Sequence, residues 1–210
     1  MLAKSKEEIV EALSKSIWDF KIGDNIIYNL KIIFALYEKS ERVPERASLF
    51  YKPLVVLIVS IIEALMFDLV CRLDGATSHF PHNLIEKRTE IKQWIEKKKV
   101  PITKGSSARI IRYKIGQIVL LFKEHEVLGP SETAIYDELI KAAAMRNRIH
   151  IQNDRKSFER DENLVFTKTR LEAIERIFQH ILDIMRTLYV RPFDSGQKEV
   201  WIEQLSGEGK

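Results

Sequence analysis

Apolar residues recur every three or four positions along the chain, and this spacing limits the folds that the chain can adopt. It is the period of a helix that is buried on one face, whereas a half-buried strand would alternate. The clearest run lies near the C-terminus and comprises Leu171, Ile174, Phe178, Ile181, Met185 and Leu188. Only 8 glycines and 6 prolines occur in 210 residues, too few for the frequent turns of an all-β protein. We therefore predict an all-α fold, an antiparallel bundle of six to seven helices.

Breaks between the apolar stripes suggest how the helices are grouped. Residues 1–44 are expected to form an N-terminal helical pair that packs on the bundle, with a break between its two helices at Gly23-Asp24. Residues 45–190 form the bundle itself. Residues 191–210 form a C-terminal tail, which either docks as a short helix or frays. The apolar residues available for docking are Trp201, Ile202 and Leu205.

The third predicted helix, from about Arg46 to Leu73, is apolar on nearly every side, as expected of an element enclosed by others. It carries Glu63 and Asp68, and charges of this kind are unfavourable in a bilayer. We therefore predict a core helix and no membrane association. A single cysteine, Cys71, cannot form an internal disulfide, and the acidic N-terminal segment does not resemble a signal peptide. We expect a cytoplasmic protein.

Positive charge is concentrated in one stretch between His82 and Lys114. It holds ten lysines or arginines and three acidic residues, a local balance of +7, whereas the whole chain has a net charge of +4. Such a stretch can attract phosphate backbones. The alternative is a solvated helix face with charge pairs four residues apart. The candidate RNA-binding residues are Lys97, Lys98, Lys99, Arg109 and Arg112.

An arginine interrupts the apolar face of the helix predicted from Ser131 to His150. The helical period places Arg146 in the stripe of Ile135 and Leu139, with His150 one turn later. An arginine in an apolar face is costly unless it is paired or reaches a functional cavity. Glu63, in the most apolar helix, is the candidate partner that orients Arg146. In the alternative interpretation this pair is purely structural and His150 caps the end of the helix.

The segment from Met145 to Asn153, followed by a polar loop and a long final helix, resembles the signature region of the HEPN superfamily. That signature is an arginine, commonly followed by a polar residue, and then a histidine after four to six intervening residues. The resemblance implies that Arg146 holds the scissile phosphate, that Asn147 is the polar neighbour, and that His150 moves protons during attack by the ribose 2′-hydroxyl. Here three residues separate Arg146 from His150, one fewer than in the family pattern.

The resemblance also implies a fold and a function. Proteins of this superfamily are helical bundles, usually dimers, and many are metal-independent endoribonucleases of toxin-antitoxin, anti-phage and CRISPR-associated systems. It therefore predicts a HEPN-like bundle that cleaves RNA without a metal or cofactor, works as a homodimer, and is restrained by an antitoxin or another regulatory protein. The narrow seam from Leu171 to Leu188 suits either an antiparallel partner helix within the bundle or a second copy of the chain. The alternative function is a non-enzymatic dimerising scaffold, or an RNA- or protein-binding module, in which Arg146 and His150 serve stability.

Overall fold

A computed structural model describes residues 4–74, 84, 86–98, 114–146, 162–191 and 196–206. These residues form nine α-helices, one short 3-10 helix (Pro44–Arg46) and no strand, which confirms the predicted all-α fold. The α-helices are α1 (Lys6–Ser16), α2 (Phe20–Arg42), α3 (Ser48–Asp74), α4 (Arg88–Lys98), α5 (Ile115–Glu124), α6 (Ile135–Arg146), α7 (Glu162–Val165), α8 (Lys168–Leu188) and α9 (Gln197–Ser206). The count exceeds the prediction because α7 is a single turn and the C-terminal tail is helical.

The break between the first two helices lies six residues earlier than predicted. Helix α1 ends at Ser16, and Asp19 caps α2 by accepting hydrogen bonds from the backbone N–H groups of Lys21 and Ile22 (2.9 and 3.2 Å). Gly23 therefore lies inside α2 and does not interrupt it. The interpretation of Gly23 as a helix breaker was wrong because this glycine provides space for a tertiary contact.

That contact is made by the C-terminal helix. Trp201 on α9 is fully buried, and its indole N–H donates a hydrogen bond to the carboxylate of Asp24 (2.9 Å). A methyl group placed on Gly23 would lie 2.6 Å from Cη2 of the Trp201 ring. Leu205 is also buried, so α9 docks on α1 and α2. Of the two predicted alternatives for the tail, the structure has the docked helix.

Helix α3 occupies the centre of the fold and packs against α2, α8, α6, α4 and α5. Within the described part of the chain, it is the one helix long and apolar enough to cross a membrane, and 61% of its most apolar window is buried in the fold. An apolar sequence together with burial inside the fold is typical of a core helix. One hydrophobic core takes side chains from all nine helices. The division at residues 44 and 190 stays a prediction.

The apolar seam of α8 is used inside the chain. Five seam residues are at most 4% exposed: Leu171, Ile174, Phe178, Ile181 and Met185. Helix α8 packs against α3 and α1. At the end of the seam, Leu188 is 50% exposed. Of the two predicted partners of the seam, the structure therefore shows the one within the chain, and the homodimer stays a prediction.

Candidate site around Arg146 and Glu63

The start of α6 is fixed by two buried tyrosines that bind the preceding loop. The Tyr136 hydroxyl donates a hydrogen bond to the carbonyl of Gly129 (2.6 Å) and accepts one from the N–H of Leu128 (3.1 Å). The Tyr189 hydroxyl donates to the carbonyl of Val127 (2.7 Å). Gly129 has φ +112°, a conformation that side-chain-bearing residues rarely adopt. These contacts hold the α5–α6 loop against the end of α8.

Helix α6 begins four residues later than predicted. The predicted start, Ser131, lies in a turn, where its N–H donates to the carboxylate of Glu126 (3.3 Å). The Thr133 hydroxyl donates to the carbonyl of Pro130 (2.7 Å) and so stabilises the same turn. The two apolar residues of the predicted stripe, Ile135 and Leu139, nevertheless lie on the inner face and are 8% and 0% exposed. Ala142, on the same face, is 2% exposed.

Arg146 is the last residue of α6 and continues this buried face, but its side chain is 33% exposed. One of its terminal guanidinium nitrogens lies 3.4 Å from a carboxylate oxygen of Glu63 on α3, whose side chain is 24% exposed. Its Nε atom is buried and has no hydrogen-bond acceptor among the described residues. The two side chains singled out from the sequence are therefore adjacent, at the edge of the core and in reach of water.

Burial raises the pKa of Glu63, and the nearby Arg146 guanidinium partly offsets this increase. A carboxylate in this position is less readily ionised than one in water, because burial disfavours its charged form. The pair thus combines a permanent positive charge with a negative charge that a proton can remove. Chemically, Arg146 can bind an anionic group, and Glu63 can orient the guanidinium while the site is empty.

The other predicted site residues are not joined to this pair in the part of the chain that the structure describes. Asn147, His150, Lys99, Arg109 and Arg112 lie outside the described residues. Lys97 is on α4 and its side chain is exposed. Lys98 is the last residue of that helix, and its side chain lies outside the described part of the structure. Whether the arginine and the histidine share one cleft stays a prediction.

A second pair of charged residues, which the sequence interpretation did not single out, lies deep in the core. Asp68 and Arg72 on α3 are 2% and 5% exposed. The Nη2 atom of Arg72 lies 2.8 Å from the Oδ2 atom of Asp68. Asp68 accepts hydrogen bonds from the backbone N–H groups of Trp18 (3.2 Å) and Asp19 (3.1 Å), and Arg72 donates to the carbonyl of Tyr189 (2.9 Å). The pair therefore ties the α1–α2 junction to the end of α8.

The sequence signal for the Asp68–Arg72 pair was an acidic residue and an arginine four residues apart within an apolar helix. This spacing places the two side chains on one face of the helix. Burial raises the pKa of Asp68 and lowers the pKa of Arg72, in each case against the effect of the partner. The acceptors and donors around the pair are backbone groups of the fold itself. Its contacts are those of a structural connection between helices.

Metal ligation has no support in the described residues, which hold no group of three or more histidine, cysteine or acidic side chains placed to bind an ion.

The comparisons with known proteins assign the chain to no family. No protein-family model matches the chain, and no curated protein or solved structure is significantly similar to it.

Proposed function

We propose that this protein is a metal-independent endoribonuclease in which Arg146 binds the scissile phosphate. The observation that carries the proposal is the position of Arg146, which emerges partly exposed from an otherwise buried face and is held there by Glu63 at 3.4 Å. An arginine fixed in this way presents a planar set of donors that matches the geometry of a phosphate. The resemblance of Met145–Asn153 to the HEPN signature supplies the reaction.

In that reaction His150 removes the proton from the ribose 2′-hydroxyl, and the resulting oxygen attacks the adjacent phosphorus. The bond from phosphorus to the 5′-oxygen breaks, and a protonated group or water gives a proton to the leaving oxygen. The products carry a 2′,3′-cyclic phosphate and a 5′-hydroxyl. A histidine titrates near neutral pH and can transfer protons, while Arg146 stabilises the charge on the phosphate oxygens. Asn147 would be the polar neighbour that follows Arg146 in the signature.

The proposal includes the conditions under which such an enzyme would work. Its substrate is RNA, its location is the cytoplasm, and its role is that of a toxin or an anti-phage factor restrained by an antitoxin or another regulatory protein. A homodimer would bring a second copy of Arg146 and His150 to the phosphate. No metal or other cofactor takes part in the reaction.

A direct test compares three variants in an RNA cleavage assay that contains excess chelator. Arg146→Ala should reduce the rate about 10²- to 10³-fold, the effect of removing one donor to a developing charge. His150→Ala should reduce it about 10²- to 10⁴-fold. Arg148→Ala is the matched control, since it removes an arginine two residues along the chain to which the HEPN-like signature gives no role. If Arg148→Ala and Arg146→Ala are equally active, Arg146 has no specific role.

The Glu63–Arg146 pair adds a pH dependence whose sign follows from the raised pKa of Glu63. Because the folded protein protonates Glu63 at a higher pH than the unfolded chain does, lowering the pH favours the folded state with Glu63 neutral. Arg146 is then released from its partner, and affinity for RNA should rise. Glu63→Gln should remove this part of the rise. An identical pH profile in the variant would exclude Glu63 as the group that controls Arg146.

One observation favours the second candidate function, a non-enzymatic scaffold or binding module. Glu63 already compensates the charge of Arg146, so the pair is stable without a ligand. Under this alternative, Arg146→Ala should lower the midpoint of urea unfolding, and the wild-type protein should leave RNA intact. The two functions are therefore separated by the same set of variants, measured for stability and for cleavage.

A further inference from the structure

We propose that an open groove between α4 and α5 binds an unpaired base of the RNA. A base bound in this groove would lie next to the part of the basic stretch that forms α4. This inference rests on RNA being the ligand, and it adds a binding site to the proposed function. The groove has a volume of about 380 Å³. Its lining residues are Trp94 on α4 and, on α5, Gln117, Leu120, Lys123 and Glu124.

An aromatic wall is the feature of this groove that suits a base. Trp94 is partly buried, since one side of it packs on the hydrophobic core. Trp94 also lines the groove. Leu120 extends the apolar surface and is 56% exposed, unusually high for a leucine on a helix whose other aliphatic side chains are mostly buried. A rigid aromatic ring beside an apolar side chain is a stacking platform that accepts any base.

Charge around the groove suits the phosphates on either side of a stacked base. Lys97 lies one turn beyond Trp94 on the same face of α4 and is exposed. Lys123 lines the groove and is 3.4 Å from Asp137 on α6, with 39% of its side chain exposed.

Polar groups at the edge of the groove can contact the base itself. The Gln117 side-chain oxygen accepts a hydrogen bond from the N–H of Lys114 (3.1 Å), which orients the amide. The Glu124 carboxylate can accept from an exocyclic amine, as carboxylates do from cytosine. Since Glu124 would repel a phosphate, the backbone of the RNA is expected on the Lys97 side of the groove. A single-stranded nucleic acid fits these groups better than an apolar peptide helix, which would offer no negative charge to Lys97 and Lys123.

The test measures binding of a labelled 2′-O-methyl oligonucleotide of mixed sequence by fluorescence anisotropy. This probe lacks the attacking hydroxyl, so the result does not depend on whether the protein cleaves RNA. Trp94→Leu should weaken binding roughly 5- to 150-fold, the range for loss of one stacked base, and should leave the salt dependence unchanged. Lys97→Gln should instead lower the slope of log affinity against log salt by about 0.7. Lys21→Gln, on α2, is the control for loss of a distant charge.

Trp94→Phe keeps an aromatic ring and should retain most of the affinity, which guards against a folding defect in Trp94→Leu. Far-UV circular dichroism of each variant checks that the helices are intact. If Trp94→Leu binds within twofold of the wild type, or if Phe and Leu are equally weak, the stacking site is overturned. A wild-type protein that does not bind the probe at low salt also overturns it. Binding that depends on Trp94 in a protein that never cleaves RNA would support the groove and refute the proposed reaction.

Discussion

The substitution Gly23→Ala should destabilise the protein, although alanine is normally favoured over glycine in a helix. Inside α2 the change alone would stabilise by about 1 kcal/mol. The added methyl group would, however, lie 2.6 Å from one carbon of the Trp201 ring and closer still to its neighbour Cζ2. Overpacking of this kind costs about 1–3 kcal/mol. We therefore expect a net loss between about 0 and 2 kcal/mol.

The same reasoning predicts that removing Trp201 reverses the sign. Trp201→Ala alone should cost about 3–5 kcal/mol, because the ring is fully buried. In that background Gly23→Ala no longer meets the ring and should stabilise the protein by up to about 1 kcal/mol. The two substitutions should thus be coupled by about 1–3 kcal/mol, which is the overpacking energy itself.

Urea unfolding followed by far-UV circular dichroism gives these values without relying on tryptophan fluorescence. Gly116→Ala on α5 is a matched control, since a methyl group there would meet nothing within 4 Å. It should stabilise the protein by a few tenths to about 1 kcal/mol. If Gly23→Ala raises stability as Gly116→Ala does, and the cycle shows no coupling, then α9 does not dock on Gly23 and the reasoning is refuted.

Three further predictions concern the buried charges and the assembly. Asp68→Ala should lower the free energy of unfolding by about 3–5 kcal/mol because it leaves Arg72 unpaired in the core, whereas Glu38→Ala, which removes a surface pair with Arg42, should cost less than about 1 kcal/mol in the same urea titration. Burial lowers the pKa of His125, so stability should be lost as the pH falls below 6.5, and His125→Gln should flatten that part of the pH–stability curve. Sedimentation at micromolar concentration should give about twice the chain mass of 24.5 kDa, and a monomer that cuts RNA at full rate would contradict a site shared between two copies.

Periodicity alone predicted the class of fold and the inner face of most helices. The buried residues of α6 and α8 follow the spacing of three and four, since a continuous core selects for that pattern. Single residues whose meaning depends on a distant partner were misinterpreted. Gly23 looked like a break because glycine usually interrupts a helix, and its use as space for Trp201 depends on a contact 178 residues away.

Of the candidate site, the pairing of Arg146 with Glu63 was predicted from the sequence, while the places of Asn147 and His150 stay predictions. An arginine in an apolar stripe and a glutamate in an apolar helix both required a partner, and the structure has them 3.4 Å apart. The pairing of Asp68 with Arg72 gave the same kind of signal but was overlooked, since Asp68 was considered only as an obstacle to membrane insertion. The groove beside Trp94 could not be predicted, because it arises from the packing of two helices that the sequence separates.

The chemistry of the cleaved ends tests the central proposal most directly. Purified protein is incubated with RNA and excess chelator, and the products are examined for their terminal groups. The proposal predicts fragments that end in a 2′,3′-cyclic phosphate and begin with a 5′-hydroxyl, because the neighbouring hydroxyl is the nucleophile. Intact RNA, or fragments with 3′-hydroxyl ends that disappear when the chelator is added, would contradict a metal-independent reaction at Arg146 and His150.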